Sequence, residues 1–184
     1  MSTNVNPACP DGCTGSPAEN TYNYCKQDIE TGEVEEVFIA AGDSECFTDW
    51  KLPGEWAARI SQDSPDPNSI RRFRGIGDLP AGASDAVVIS KGDVFNTEKT
   101  FTLNYDVEDV SDANYEFMRT IECNGKLKGW YAAGAKLFGG NCGIDISIGA
   151  NYVIERGQKS LHKIVFVFTW NNQHSPERCT NPIV

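Results

Sequence analysis

The chain has 184 residues, 23% of them charged, with a formal net charge of -10 at neutral pH. That length suits one domain with a real core. No apolar stretch approaches the ~20 residues needed to cross a bilayer, and the acidic balance excludes the basic footprint of a nucleic-acid grip. The acidity is local, since residues 1–50 hold ten acidic groups against Lys26 alone, a balance of -9, whereas residues 51–184 hold sixteen acids and fifteen bases.

Residues 1–21 are rich in Asn, Pro, Gly, Ser and Thr without periodicity, which predicts an extended arm. Met1-Ser-Thr-Asn-Val-Asn-Pro7 has neither the basic nor the apolar region of a signal peptide, so synthesis in the cytoplasm is expected. The seven cysteines, an odd number, then predict reduced thiols that serve as small apolar side chains. One metal reading exists: Cys9, Cys13, Cys25 and Cys46 as four zinc thiolates. Only one of their spacings is short, where structural zinc sites show two close pairs, so no metal or cofactor is expected.

The domain body is predicted over residues 22–170. Two apolar patches flank a turn at Ile29-Glu-Thr-Gly-Glu33, and Glu33–Ile39 reads as a strand whose glutamates protect an edge. Asp49–Ile60 predicts a short helix begun at Pro53, with Trp56 and Ile60 on one face, capping an open end of the sheet. A proline-stiffened loop over 61–69 leads to Arg71-Arg72-Phe73-Arg74, the one basic cluster. It reads as a solvated strand, or as the match of the acidic N-terminal segment of a neighbouring copy, with Glu33, Glu35 and Glu36 as contacts, and phosphate binding is the remaining alternative. Gly75-Ile-Gly77 has no third glycine and no following helix, so it is not a dinucleotide loop.

Ala86–Ile89 and Phe101–Val107 are the next strands, and the polar connection Ser90–Thr100 between them projects as a hairpin tip. Ser111–Ile121 predicts a helix with Ser111 or Asp112 as N-cap and Tyr115, Met118 and Ile121 on its buried side, closed by Cys123-Asn-Gly125. Lys128–Ala132 and Ala135–Phe138 form a short hairpin, followed by Gly139-Gly-Asn-Cys-Gly143, whose glycines permit tight turns or close backbone approach.

The organising stretch is Gly143–Trp170. Ile144, Ile146, Ile148, Ala150, Tyr152 and Ile154 alternate with Asp145, Ser147, Gly149, Asn151 and Glu155, a period of two that gives one dry and one wet face. After a polar turn over 156–160, Lys163–Trp170 is near-continuously β-branched and aromatic, as in a strand covered on both faces. Residues 171–184 should leave the sheet as an extended strap. The predicted fold is mainly β, an antiparallel sandwich or barrel of about seven strands with two short helices.

Catalytic chemistry finds no set of residues. His162 and His174 lie in no metal or triad spacing, and Asp106–Asp112 lacks the sixth-position glycine and terminal glutamate of a calcium loop. The chain reads as a non-enzyme. A carbohydrate-binding β-sandwich would instead use Trp50, Trp130 and Tyr131 as exposed platforms, and a zinc-stapled interaction domain would use the four N-terminal cysteines.

Asn114-Tyr-Glu-Phe-Met-Arg119, Gly143-Ile-Asp-Ile-Ser-Ile-Gly149, Val167-Phe-Thr-Trp170 and Ser175-Pro-Glu-Arg178, with the order of elements, carry a family resemblance. The chain resembles β-sandwich or β-barrel virion proteins of tailed bacteriophages, above all major tail tube proteins, with capsid decoration and connector proteins as alternatives. The resemblance implies a subunit made in the host cytoplasm and built into the virion. It would assemble with itself into stacked hexameric rings, beside other virion proteins and away from membranes, around a channel that DNA passes without specific binding. Asp145, Ser147, Asn151 and Glu155 are then the channel-lining candidates.

Overall fold

The computed structural model describes residues 32–60, 66–84, 86–88, 94–96, 98–123, 125–154 and 161–183. The predicted arm, the 156–160 turn, Glu155, Cys9, Cys13 and Cys25 lie outside the described residues. Eleven strands are present among the described residues: β1 Val34–Ala41, β2 Arg71–Gly77, β3 Gly82–Ala83, β4 Ala86–Val88, β5 Val94–Asn96, β6 Lys99–Val107, β7 Leu127–Ala133, β8 Lys136–Phe138, β9 Ile144–Ile154, β10 His162–Asn172 and β11 Arg178–Thr180. The two helices are α1 Pro53–Arg59 and α2 Asp112–Glu122.

β9 and β10 pair antiparallel from Ser147↔Thr169 to Ile154↔His162, so the long hairpin forms as its alternation predicts. β10 also pairs with β6 from Ile164↔Val107 to Asn172↔Lys99, giving the order β1-β2-β6-β10-β9-β7, and β1 pairs with β7 to close a six-stranded antiparallel barrel. β4, on the predicted Ala86–Ile89 strand, pairs with β5, inside the predicted polar connection, as a separate two-stranded antiparallel sheet.

The barrel interior is filled by one face of each strand. Val34, Val37 and Ile39 of β1 meet Phe101, Leu103, Tyr105 and Val107 of β6 and Ile164, Phe166, Phe168 and Trp170 of β10. A small barrel of this kind is a packed core, with no room for a lumen. Tyr105 is fully buried, and its one hydroxyl proton is shared between Glu35 O at 2.8 Å and Phe73 O at 3.3 Å, stitching β6 to β1 and β2.

Several expectations need correction. The glutamates of β1 protect no edge, because β1 is paired on both sides. The barrel end is capped by α2, whose Met118 and Ile121 join the interior while Phe117 packs against it; Tyr115, predicted buried, is 41% exposed. α1 lies instead on the outer wall, where Trp56 packs on Phe38 and Trp130. β10 is sealed on its even face only, for Val165, Val167 and Thr169 are half-buried. Part of the tail returns as β11, which pairs with β8 from Arg178↔Phe138 to Thr180↔Lys136 instead of leaving the sheet.

Candidate functional site

Among the described residues, the outside of the barrel divides into a covered wall and a bare one. Around a ring of six strands β1 and β10 lie diametrically opposed, so the covered wall centred on β1 and β7 faces away from the bare wall centred on β10.

The covered wall carries a second core, built from Phe38, Ala40, Trp130, Ala132 and Leu137 beneath Phe47, Trp50, Trp56 and Ile70. A helix of seven residues is marginal alone, and α1 is held by Trp56, which is 1% exposed and donates its indole N–H to Trp50 O at 2.7 Å. Burying an indole contributes on the order of 4 kcal/mol. Pro53 sits in the first turn, and the Glu55 carboxylate accepts from the Thr48 and Asp49 amides, fixing the helix start. Trp130 donates to Gly140 O at 2.8 Å, and Gly139 and Gly143 straddle its indole. A Cβ at Gly139 would lie 2.4 Å from Cδ1 and one at Gly143 2.7 Å from Cζ2, which is the close approach expected of that loop. Trp50, Trp130 and Tyr131 are between 1% and 5% exposed, so none can serve as a sugar platform, and the carbohydrate reading loses its aromatic basis.

Cys46 is bonded to Cys142, 96 residues away. This corrects the expectation of reduced thiols throughout and removes Cys46 from the zinc set. Among the described residues no cluster of His, Cys, Asp and Glu could hold a metal ion. Cys179 and Cys123 are free thiols, and burial pushes the Cys179 thiol pKa up.

The bare wall is the outward face of β6, β10 and β9. Its cross-strand rows read Thr102, Thr169, Ser147, then Asn104, Val167, Gly149, then Asp106, Val165, Asn151. Asp145, Ser147 and Asn151 are exposed on this wall, so three of the four channel-lining candidates share one surface. Lys163 Nζ binds Asp106 at 2.8 Å, whereas Lys128, opposite Asp145 in register, turns its Nζ to Ser44 O at 2.6 Å and leaves the Asp145 carboxylate exposed. The wall is therefore a field of hydroxyls and amides around two valines, with its lysine paired and Asp145 as an exposed carboxylate, on a chain of net charge -10. Gly149 forms its floor, where an added Cβ would meet nothing within 4 Å. The β6 and β10 contributors were missed from sequence. The polar even positions of Phe101–Val107 are a visible signal, but their alignment beside β9 depends on β10 lying between them.

The subunit-contact candidates fall elsewhere. Glu36 is bound by Arg72 and, at 2.8 Å, by Arg74, both of the same chain, across the β1–β2 ladder. The predicted acid–base match thus forms within one subunit for these three residues. Arg71 lies opposite Ile39 in register, and Glu33 and Glu35 are exposed.

The β9–β10 hairpin also overhangs the barrel. β6 ends at Val107 opposite Ile164, whereas β9 and β10 stay paired out to Ile154↔His162. Tyr152 and Ile154, in phase with the buried positions, are 38% and 57% exposed, and neighbouring Leu161 is 51% exposed. Tyr152 is steadied by the Tyr115 ring at 5.9 Å and by a 2.6 Å hydrogen bond between its hydroxyl and His162 Nδ1.

No protein-family model, no curated protein and no solved structure matches the chain.

Proposed function

We propose that this protein is a self-assembling structural subunit of a tailed-phage virion, most specifically of the tail tube. Hexameric rings of it stack around a DNA channel, with the bare wall toward the channel and the covered wall outward. The reading is supported above all by the polar, cation-poor bare wall. DNA binding is driven by cations that displace counterions from phosphate, and a wall whose one lysine is neutralised by Asp106 offers no such gain. A polyanion could slide along it without sticking. The apolar overhang at Tyr152, Ile154 and Leu161 suits a contact with the next copy, because exposed apolar clusters of this kind mark interaction sites.

Light scattering and electron microscopy of the purified full chain test the reading, with rings or tubes expected. A strict monomer up to high concentration, with and without the other virion proteins, would overturn it. The orientation is tested by Thr102→Lys with Ser147→Lys, which places two unmatched cations on the wall. Tubes of this variant should retain DNA in a salt-dependent manner. DNA retention equal to that of the unsubstituted protein would mean that another face lines the channel.

A further inference from the structure

The Cys46–Cys142 bond joins two surface segments: residues 42–52, between β1 and α1, and residues 139–143, between β8 and β9. Both cysteines are exposed, so a small thiol or disulfide can reach the bond without the barrel opening. The segments are also held together by other means. Asn141 O accepts from the Phe47 amide at 2.8 Å, and Asn141 Oδ1 accepts from the Trp50 amide at 3.1 Å. Arg59 donates to Glu45 O and Cys46 O and lies 4.3 Å from the Phe47 ring centroid. These contacts keep the two thiols side by side after reduction. The residues of the covered-wall core and of the barrel interior are separate sets, so loosening the first leaves the second packed.

We propose that the Cys46–Cys142 bond is a redox latch on the covered wall, made and broken in the folded protein. The latch operates within a single subunit and requires no assembly. Closing it consumes a low-molecular-weight disulfide such as oxidised glutathione. One cysteine thiolate attacks that disulfide and expels one glutathione thiolate, and the second cysteine thiolate displaces the other to form the Cys46–Cys142 bond. Two electrons pass from the cysteine pair to glutathione, which leaves as two thiols. A dithiol reductant runs the same exchange in reverse. Exposed bonds of this kind are the labile ones, while bonds buried in a core resist reduction. Once the latch opens, the segment carrying Phe47 and Trp50 loses its covalent hold, and water gains access to the indoles of Trp50, Trp56 and Trp130.

The test equilibrates the full chain in glutathione buffers of graded poise, with bond occupancy read by alkylation and mass spectrometry. Tryptophan emission and far-ultraviolet circular dichroism are followed in parallel. Occupancy should titrate while the circular dichroism holds, with emission shifting to the red on reduction. The Tm should fall by on the order of 10 °C, as expected when a cross-link over such a long loop is lost. The variant Cys46→Ser with Cys142→Ser should show the red-shifted emission from the start and no response to reductant. A bond that yields only when the barrel unfolds would make it a static staple and overturn the proposal. Reduction that leaves emission and Tm unmoved would overturn it equally.

Discussion

Replacing Gly143 with alanine sets two penalties on one residue. Its φ of +74° lies in the left-handed region, where an L side chain costs about 1–2 kcal/mol. The new Cβ would also stand 2.7 Å from Cζ2 of Trp130, an indole that is 1% exposed and fixed by its bond to Gly140 O. Overpacking a core in this way costs about 1–3 kcal/mol. The combined loss, roughly 2–5 kcal/mol, is a large part of the ~5–15 kcal/mol that holds a domain folded. For a chain of this size it corresponds to a Tm lower by roughly 4–20 °C. Gly149→Ala is the control, because that residue lies in an exposed strand with open space where the Cβ would go. Alanine there should be neutral or raise stability by up to about 1 kcal/mol, since glycine loses more chain entropy on folding. Thermal melts of the two variants and of the unsubstituted chain decide the matter. Equal losses, or a Gly143→Ala variant that melts with the unsubstituted chain, would refute the account of the loop around Trp130.

Alkaline stability should be limited by two tyrosines. Burial raises the pKa of Tyr105, with the Glu36 carboxylate adding to it, and burial alone raises that of Tyr131. The folded state therefore keeps protons that the unfolded chain gives up near pH 10, so stability is full below that pH and falls above it, by roughly 2–3 kcal/mol per pH unit for the pair. Denaturant titrations from pH 9 to 11.5 should show this slope, and Tyr131→Phe should remove about half of it; an unchanged slope would show that other groups set it. Glu36→Ala takes the shared acceptor from Arg72 and Arg74 and should cost about 1–3 kcal/mol, whereas Arg74→Ala, at a side chain 74% exposed, should cost no more than ~1 kcal/mol. Equal costs in urea melts would mean that the Arg72–Glu36 pair adds little.

The sequence alone determined the elements whose pattern is local. The period of two in Ile144–Ile154 and Phe101–Val107, and Pro53 at the start of α1, each state which side chains share a face or where a turn begins. Such a pattern does not say what lies against that face. In β7 both faces are apolar, and only the closure of β1 onto β7 sends Tyr131 into the barrel and Trp130 out beneath α1. The pairing of β1 with β2 decides that Glu36 meets Arg72 and Arg74 of its own chain, and the closed barrel offers the end that α2 caps. Nothing in the spacing of seven cysteines selects Cys142 as the partner of Cys46 across 96 residues, because the two meet only once the segments around Trp130 have packed. The bare wall shows the same division: alternation made Ser147 and Asn151 outward, and pairing through β10 set them beside Thr102 and Asp106 as one polar surface.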